Sequence, residues 1–170
     1  MSAELVKKNV AINKKIGKQT TQVLCEGDII IPDIKPDVKS ILKSTARAYV
    51  DEEKSGENRV SFKGRVIANI LYEGKNGERA VYAVNTVLPF EDVINMEGVD
   101  RNSEIIATAE LENIESFIIN DRKIGVKAVV NVEVEAYAKE NVELVADIIS
   151  QDNVMTKKEK MVMSYLCSKC

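Results

Sequence analysis

Residues 122–137 read RKIGVKAVVNVEVEAY. From Ile124 onward every second residue is small or apolar: Ile124, Val126, Ala128, Val130, Val132, Val134 and Ala136. Between them stand Gly125, Lys127, Val129, Asn131, Glu133 and Glu135. Side chains of a strand alternate between its two faces, so this is one long strand with a dry face and a mostly wet one. An amphipathic helix needs apolar spacings of three and four, which the run lacks. The expected fold class is all-β: an antiparallel β-sandwich or barrel-like module with long hairpins.

Two such hairpins flank the middle of the chain. Residues 59–73 carry Val60, Phe62, Val66, Ala68, Ile70 and Tyr72 on one face. Gly64 interrupts them, which predicts a bulge or a close backbone approach. Asn76-Gly77 is a strong hairpin-turn signal. The return strand over 79–88 is apolar on both faces, so it is expected at the centre of a sheet and to end at Pro89; residues 90–102 read as irregular. In the second hairpin Ile105, Ala107, Ala109 and Leu111 share a face. The alternation switches after Glu112, as a bulge would produce, and Asn120-Asp121 turns the chain into the strand quoted first.

Shorter strands are expected over 5–12, where lysines between the apolar residues suit an edge, and over 20–26, ended by Gly27. Further strands are expected over 45–51 and 141–149, with a polar loop over 51–58. The segment 28–42, DIIIPDIKPDVKSIL, is different. Pro32 removes a ladder donor and takes the chain out of the sheet. Pro36 and Asp37 fit the start of a short helix near residues 36–43, with Val38, Ile41 and Leu42 on one side. The expected division is a β domain over 1–150 and a tail over 151–170. In the tail, Thr156 and Glu159 match a helix capping box, and the pattern of 161–166 leaves helix and strand open.

The chain has 170 residues, 24 Lys plus Arg and 27 Asp plus Glu, for a net charge of −3. A domain of this size buries roughly 68–70% of its unfolded surface without help from a metal or disulfide. The slightly acidic balance speaks against a nucleic-acid partner and against docking on anionic lipid. No run approaches the ~20 apolar residues of a membrane span, and the first residues lack a signal-peptide core, so neither membrane insertion nor export is expected. There is no histidine, which removes the commonest general base and the usual zinc ligand.

No catalytic constellation emerges, and no cofactor or metal is called for. The acidic clusters Asp51-Glu52-Glu53, Glu91-Asp92 and Glu110/Glu112/Glu115 lack calcium-loop spacing and suit solvated faces. Residues 74–77 lack the spacing of a phosphate loop. Cys25, on a strand face, reads as a small buried hydrophobe. Cys167 and Cys170 form a CxxC at the last residues. Exposed thiols, a redox pair, a metal bridging chains and cross-links between neighbouring chains all stay open for it, and the candidates for intermolecular disulfides are Cys25, Cys167 and Cys170. The stiff, charged loop Pro32, Asp33, Lys35, Pro36 and Asp37 reads either as a crossover between sheet edges or as a partner-docking knob.

The run Ile31-Pro32-Asp33-Ile34-Lys35-Pro36-Asp37-Val38 with Ile41-Leu42, followed by Gly64, Tyr72, Pro89-Phe90 and two long hairpins, resembles the SPOCS-domain family. This is the spore coat and sporulation domain of endospore-forming clostridia and their relatives. The resemblance spans about residues 10–149. It implies a non-enzymatic module of spore-envelope assembly, made in the mother-cell cytoplasm and deposited on the spore surface, in the coat or exosporium. The sequence stops at Cys170 without the LysM domain of larger members, as either a fragment or a short stand-alone member would; a short member ending in cysteines resembles a structural subunit of a coat layer or appendage. Such a subunit would associate with itself or another envelope protein, as a homo-oligomer or polymer, through strand edges and tail disulfides. The alternative is a monomeric adaptor that binds a spore morphogenetic protein.

Overall fold

The computed structural model describes residues 3–75, 80–150, 157 and 159. They form six strands: β1 (Ala3–Ile30), β2 (Val38–Gly56), β3 (Arg59–Gly74), β4 (Val81–Asn95), β5 (Glu104–Asn120) and β6 (Lys123–Ser150). Sheet A has the order β1-β6-β5 and sheet B the order β2-β3-β4, with every pairing antiparallel. Neither sheet closes on itself, so the module is a sandwich and not a barrel.

β6 is the spine of sheet A. Its seven alternating residues from Ile124 to Ala136 are all buried against sheet B. Each valine sheltered this way contributes about 1.5–3 kcal/mol relative to exposure. β3 is the matching spine of sheet B, burying Val60, Phe62, Val66, Ala68, Ile70 and Tyr72. The outer strands face each other across the layers. Thr21 of β1 donates to Asp92 of β4 at 3.2 Å, and Ser44 of β2 shares a hydrogen bond with Ser116 of β5.

Both expected hairpins are present. Glu104 pairs with Tyr137 at the open end of the β5–β6 hairpin, and the expected bulge lies between Leu111 and Asn113. Gly64 is a close approach: a Cβ there would sit 2.3 Å from the backbone oxygen of Tyr49 and 2.3 Å from Phe90 Cζ. The bulge beside it belongs to β2, between Val50 and Glu52.

Several expectations are corrected. The short helix near 36–43 is absent; Val38 opens β2, and no helix occurs among the described residues. Val38, Ile41 and Leu42 show helical spacing only because two register shifts, at Val38/Ser40 and Ile41/Lys43, interrupt the alternation. The chain does not break at Gly27 or at Pro89. β1 runs on to Ile30 and β4 to Asn95. β4 is an edge strand and not a central one; a proline costs least there, because no neighbour asks for its missing N–H. Its second apolar face, with Val81, Val87 and Val93, is exposed. The polar stretch 51–56 is strand, and the 122–137 and 141–149 strands are one, as are those of β1. The Asn76-Gly77 turn, the Thr156 capping position and residues 161–166 lie outside the described residues.

Sheet B and β5 end before β1 and β6 do. Met96, just past β4, meets Gly17, and β5 begins opposite Tyr137. Beyond this level β1 and β6 continue as a two-stranded ribbon of twelve rungs, from Lys14↔Ala138 to Ala3↔Ser150. At ~3.4 Å a rung the ribbon is roughly 40 Å long.

Candidate functional site

Opposite the ribbon, the sandwich ends in the crossover loop that joins β1 to β2. Strand geometry stops because Pro32 cannot donate and pushes Ile31 into extended backbone. Lys35 N donates to Pro32 O at 2.9 Å, closing a tight turn. The loop is docked at both ends, with Ile31 N donating to Arg122 O and Val38 N to Asp121 O.

Arg122 organises the loop. Its Nη1 donates to Lys35 O at 2.8 Å and to Asp37 Oδ1 at 3.1 Å. Its Nη2 donates to Ile31 O at 3.0 Å and to Asp33 Oδ1 at 3.1 Å. A guanidinium suits this task because its donors are fixed in a planar fork. Tyr72 Oη donates to Pro36 O at 3.1 Å, and the buried phenol's pKa is raised by desolvation. Lys35 Nζ donates to Ala83 O. Gly74 gives Pro36 room, since a Cβ there would lie 2.5 Å from Pro36 Cγ.

The five residues read as a docking knob therefore divide. Lys35, Pro36 and Asp37 are half-buried and engaged with their own chain, and Asp33 is shared with Arg122. Pro32, Asp33 and Ile34 face outward, Ile34 at 91% exposure. Two residues escaped the sequence reading. Ile34 looked like one more apolar residue in a run of isoleucines. Arg122 lies far from the loop in sequence; two aspartates on one short loop were the only hint of a cation elsewhere.

Cys25 is a free thiol, 2% exposed, between the sheets, and burial raises its pKa. A sulfur of another chain cannot reach it without opening the sandwich, so burial removes it from the candidates for cross-linking. Cys167 and Cys170 lie outside the described residues.

A shallow groove of about 490 Å³ runs between the rims of β2 and β5, lined by Ile41, Leu42, Ile114 and Phe117 with Lys43, Ser44, Glu115 and Ser116. One carboxylate, one ammonium and a serine pair make no nucleophile–base arrangement there. Among the described residues no group of three or more Cys, Asp or Glu is placed to hold a metal ion, and no helix is long and apolar enough to cross a membrane.

At the base of the ribbon, Lys15 Nζ lies 2.7 Å from Glu135 Oε1, and Tyr137 Oη donates to Glu135 Oε2 at 2.6 Å. These two partners, Lys15 first, hold the Glu135 carboxyl down to about 2. Lys18 pairs with Glu133 at 2.6 Å, which raises its own pKa.

The geometry defines an all-β module with open sheet edges, a rigid loop at one end and a bare ribbon at the other. Residues 37–120 match the family model of the SipL SPOCS domain. The chain belongs to the SPOCS-domain family through this stretch, which runs from the end of the crossover loop to the end of β5. Residues 31–36 of the sequence signature lie outside the matched stretch, as do β1 and β6. No curated protein and no solved structure matches the chain. Membership implies a sporulation-related, spore-associated protein with a protein-interaction role, in a family that is not a known enzyme family. The family-like residues meet in space: Phe90 packs where Gly64 has no side chain, and Tyr72 holds Pro36.

Proposed function

We propose that this chain is a non-enzymatic assembly protein of the bacterial spore envelope, made in the mother cell and deposited in the coat or exosporium. The SPOCS match carries the reading. The open edges of two three-stranded sheets supply the means, because unpaired strand amides and carbonyls accept further strands. Cys167 and Cys170 then stiffen the assembly by disulfides between neighbouring chains, once lysis of the mother cell admits oxygen.

A fluorescent fusion in sporulating cells, with fractionation of mature spores, tests the placement. The expected result is a signal around the forespore and recovery with the envelope; recovery only in the spore core or the medium would reject the reading. Non-reducing electrophoresis of envelope extracts tests the cross-links. Oligomer bands should vanish in the Cys167→Ser, Cys170→Ser chain.

A second reading, an adaptor for one morphogenetic protein, is favoured by Ile34, which projects from a loop held rigid by Arg122. Ile34→Asp is the clean test, since Asp33 and Asp37 also hold the loop. Loss of one co-purifying envelope protein at unchanged melting temperature is the outcome expected for an adaptor.

A further inference from the structure

Within the sandwich, the even-numbered face of β6 is covered by sheet B; in the ribbon the same face continues without cover. It presents Ala138, Glu140, Val142 and Leu144, with Lys14, Ile12, Val10 and Lys8 as their cross-strand partners, so an apolar centre of Ile12, Val10, Val142 and Leu144 is flanked by three charges. Leu144 is 40% exposed. The opposite face carries Lys7, Asn9, Asn13, Lys139, Asn141 and Glu143 and is mostly wet, with Ala11, Val145 and Leu5 scattered among them and Lys7 and Glu143 paired at 3.1 Å. An isolated two-stranded ribbon is marginal in water. This one has a face with an apolar centre, a mostly polar face and no described third strand.

We infer that a second copy of the chain covers this face, with its own ribbon laid antiparallel across it about a twofold axis. This deepens the self-association in the reading above and rests on it.

Three observations select a second copy as occupant. The first is continuity of the layers. A ribbon stacked on the bare face lies at the usual ~10 Å spacing between packed sheets, which is the level of sheet B. The second copy's ribbon extends the first copy's sheet B, and the first copy's ribbon extends the second copy's sheet B. The bodies fall at opposite ends and do not collide, and equal ribbon lengths leave neither bare face unpaired. Such an isologous contact closes on itself.

The second observation is charge. With the axis through the Val10–Val142 rung, Lys8 of each copy falls on the rung of Glu140 of the other. Glu140 already pairs with Lys14 of its own chain at 3.2 Å, and Lys8 has no ion pair among the described residues. Moving the axis one rung toward Ile12 would set Lys8 against Lys14, which like-charge repulsion disfavours. The third observation is area. A ribbon roughly 40 Å long and ~10 Å wide offers about 400 Å² per copy, or on the order of 800–1,000 Å² in all, at the low end for specific interfaces. The dimer is therefore weak and depends on concentration.

Sedimentation velocity of the whole chain in reductant, over a concentration series, tests the inference. The expected result is a reversible monomer–dimer equilibrium as the first step of association. Leu144→Glu, on the bare face and away from the sandwich, should raise the dissociation constant about 10-fold or more, because its carboxylate faces the Glu140 rung of the other copy and draws off Lys8, its own cross-strand partner. Val142→Lys, at the axis, should do the same. Val145→Lys, on the wet face at 57% exposure, should leave the dimer intact. Circular dichroism and melting of each variant establish that the monomer folds.

A monomer at every concentration would overturn the inference and leave the face to residues 151–170 or to a different protein. So would a dimer indifferent to Leu144→Glu. Localisation is a separate readout. A protein that enters the envelope normally but never dimerises defeats this inference alone; one that dimerises in solution but is absent from the envelope defeats the functional reading.

Discussion

Replacing Arg122 by leucine should loosen the crossover loop by a calculable amount. The side chain donates to two backbone carbonyls and two carboxylates. A net hydrogen bond contributes about 0.5–1.5 kcal/mol, and one to a charged group about 1.5–3 kcal/mol. Arg122 is 34% exposed, so water and salt screen the ionic part, and the lower range applies to all four bonds. At about 0.5–1 kcal/mol each, the loss is about 2–4 kcal/mol. For a domain near 150 residues, ~3 kcal/mol lowers the melting temperature by roughly 6–12 °C. The fold survives if the domain has the usual ~5–15 kcal/mol. Urea titration by circular dichroism measures the loss, and amide exchange at Ile31, Lys35 and Val38 shows whether it is local. Arg122→Lys should recover only part, because an ammonium cannot reach four acceptors in a plane. A double-mutant cycle with Asp37→Ala should give a coupling of ~0.5 kcal/mol or more. An Arg122→Leu chain within about 0.5 kcal/mol of the parent would refute the clamp and return Asp33 and Asp37 to the candidates for partner binding.

Gly64→Ala should cost about 3 kcal/mol in urea titration, because the new Cβ meets a backbone oxygen at 2.3 Å that cannot swing away; Gly17→Ala, with its nearest atom Met96 Sδ at 3.4 Å, should stay within about 1 kcal/mol. Glu135 contributes stability that is complete above its ordinary value of 4.5 and fades as pH falls toward about 2, because its folded pKa is depressed. The melting-temperature gap between the parent and Glu135→Gln should therefore close as the buffer is taken from pH 5 to pH 2, and a gap constant over that window would contradict the assignment. In a Cys167→Ser, Cys170→Ser chain, Cys25 should resist a thiol reagent until denaturant is added, since it is buried and its pKa is raised; reaction at the rate of a free thiol would show that the sandwich opens there.

The sequence by itself determined the all-β class, the two long hairpins, the buried face of β6 and the bulge near Asn113, because period-two alternation and turn chemistry are local. It also carried the family, through residues at fixed separations. Sheet order did not follow, since whether β4 sits at an edge depends on which strands find each other and not on its own composition; an apolar outward face looks the same as a buried one. The helical spacing of Val38, Ile41 and Leu42 misled because a bulge and a helical turn can place apolar residues alike, and only pairing with β3 chose between them. Arg122 could join Ile31, Asp33, Lys35 and Asp37 only after the sandwich brought residues some ninety positions apart together. The bare face of the ribbon is also a tertiary fact: Val142 and Leu144 alternate just as Val132 and Val134 do, and they differ because sheet B ends beside Gly17.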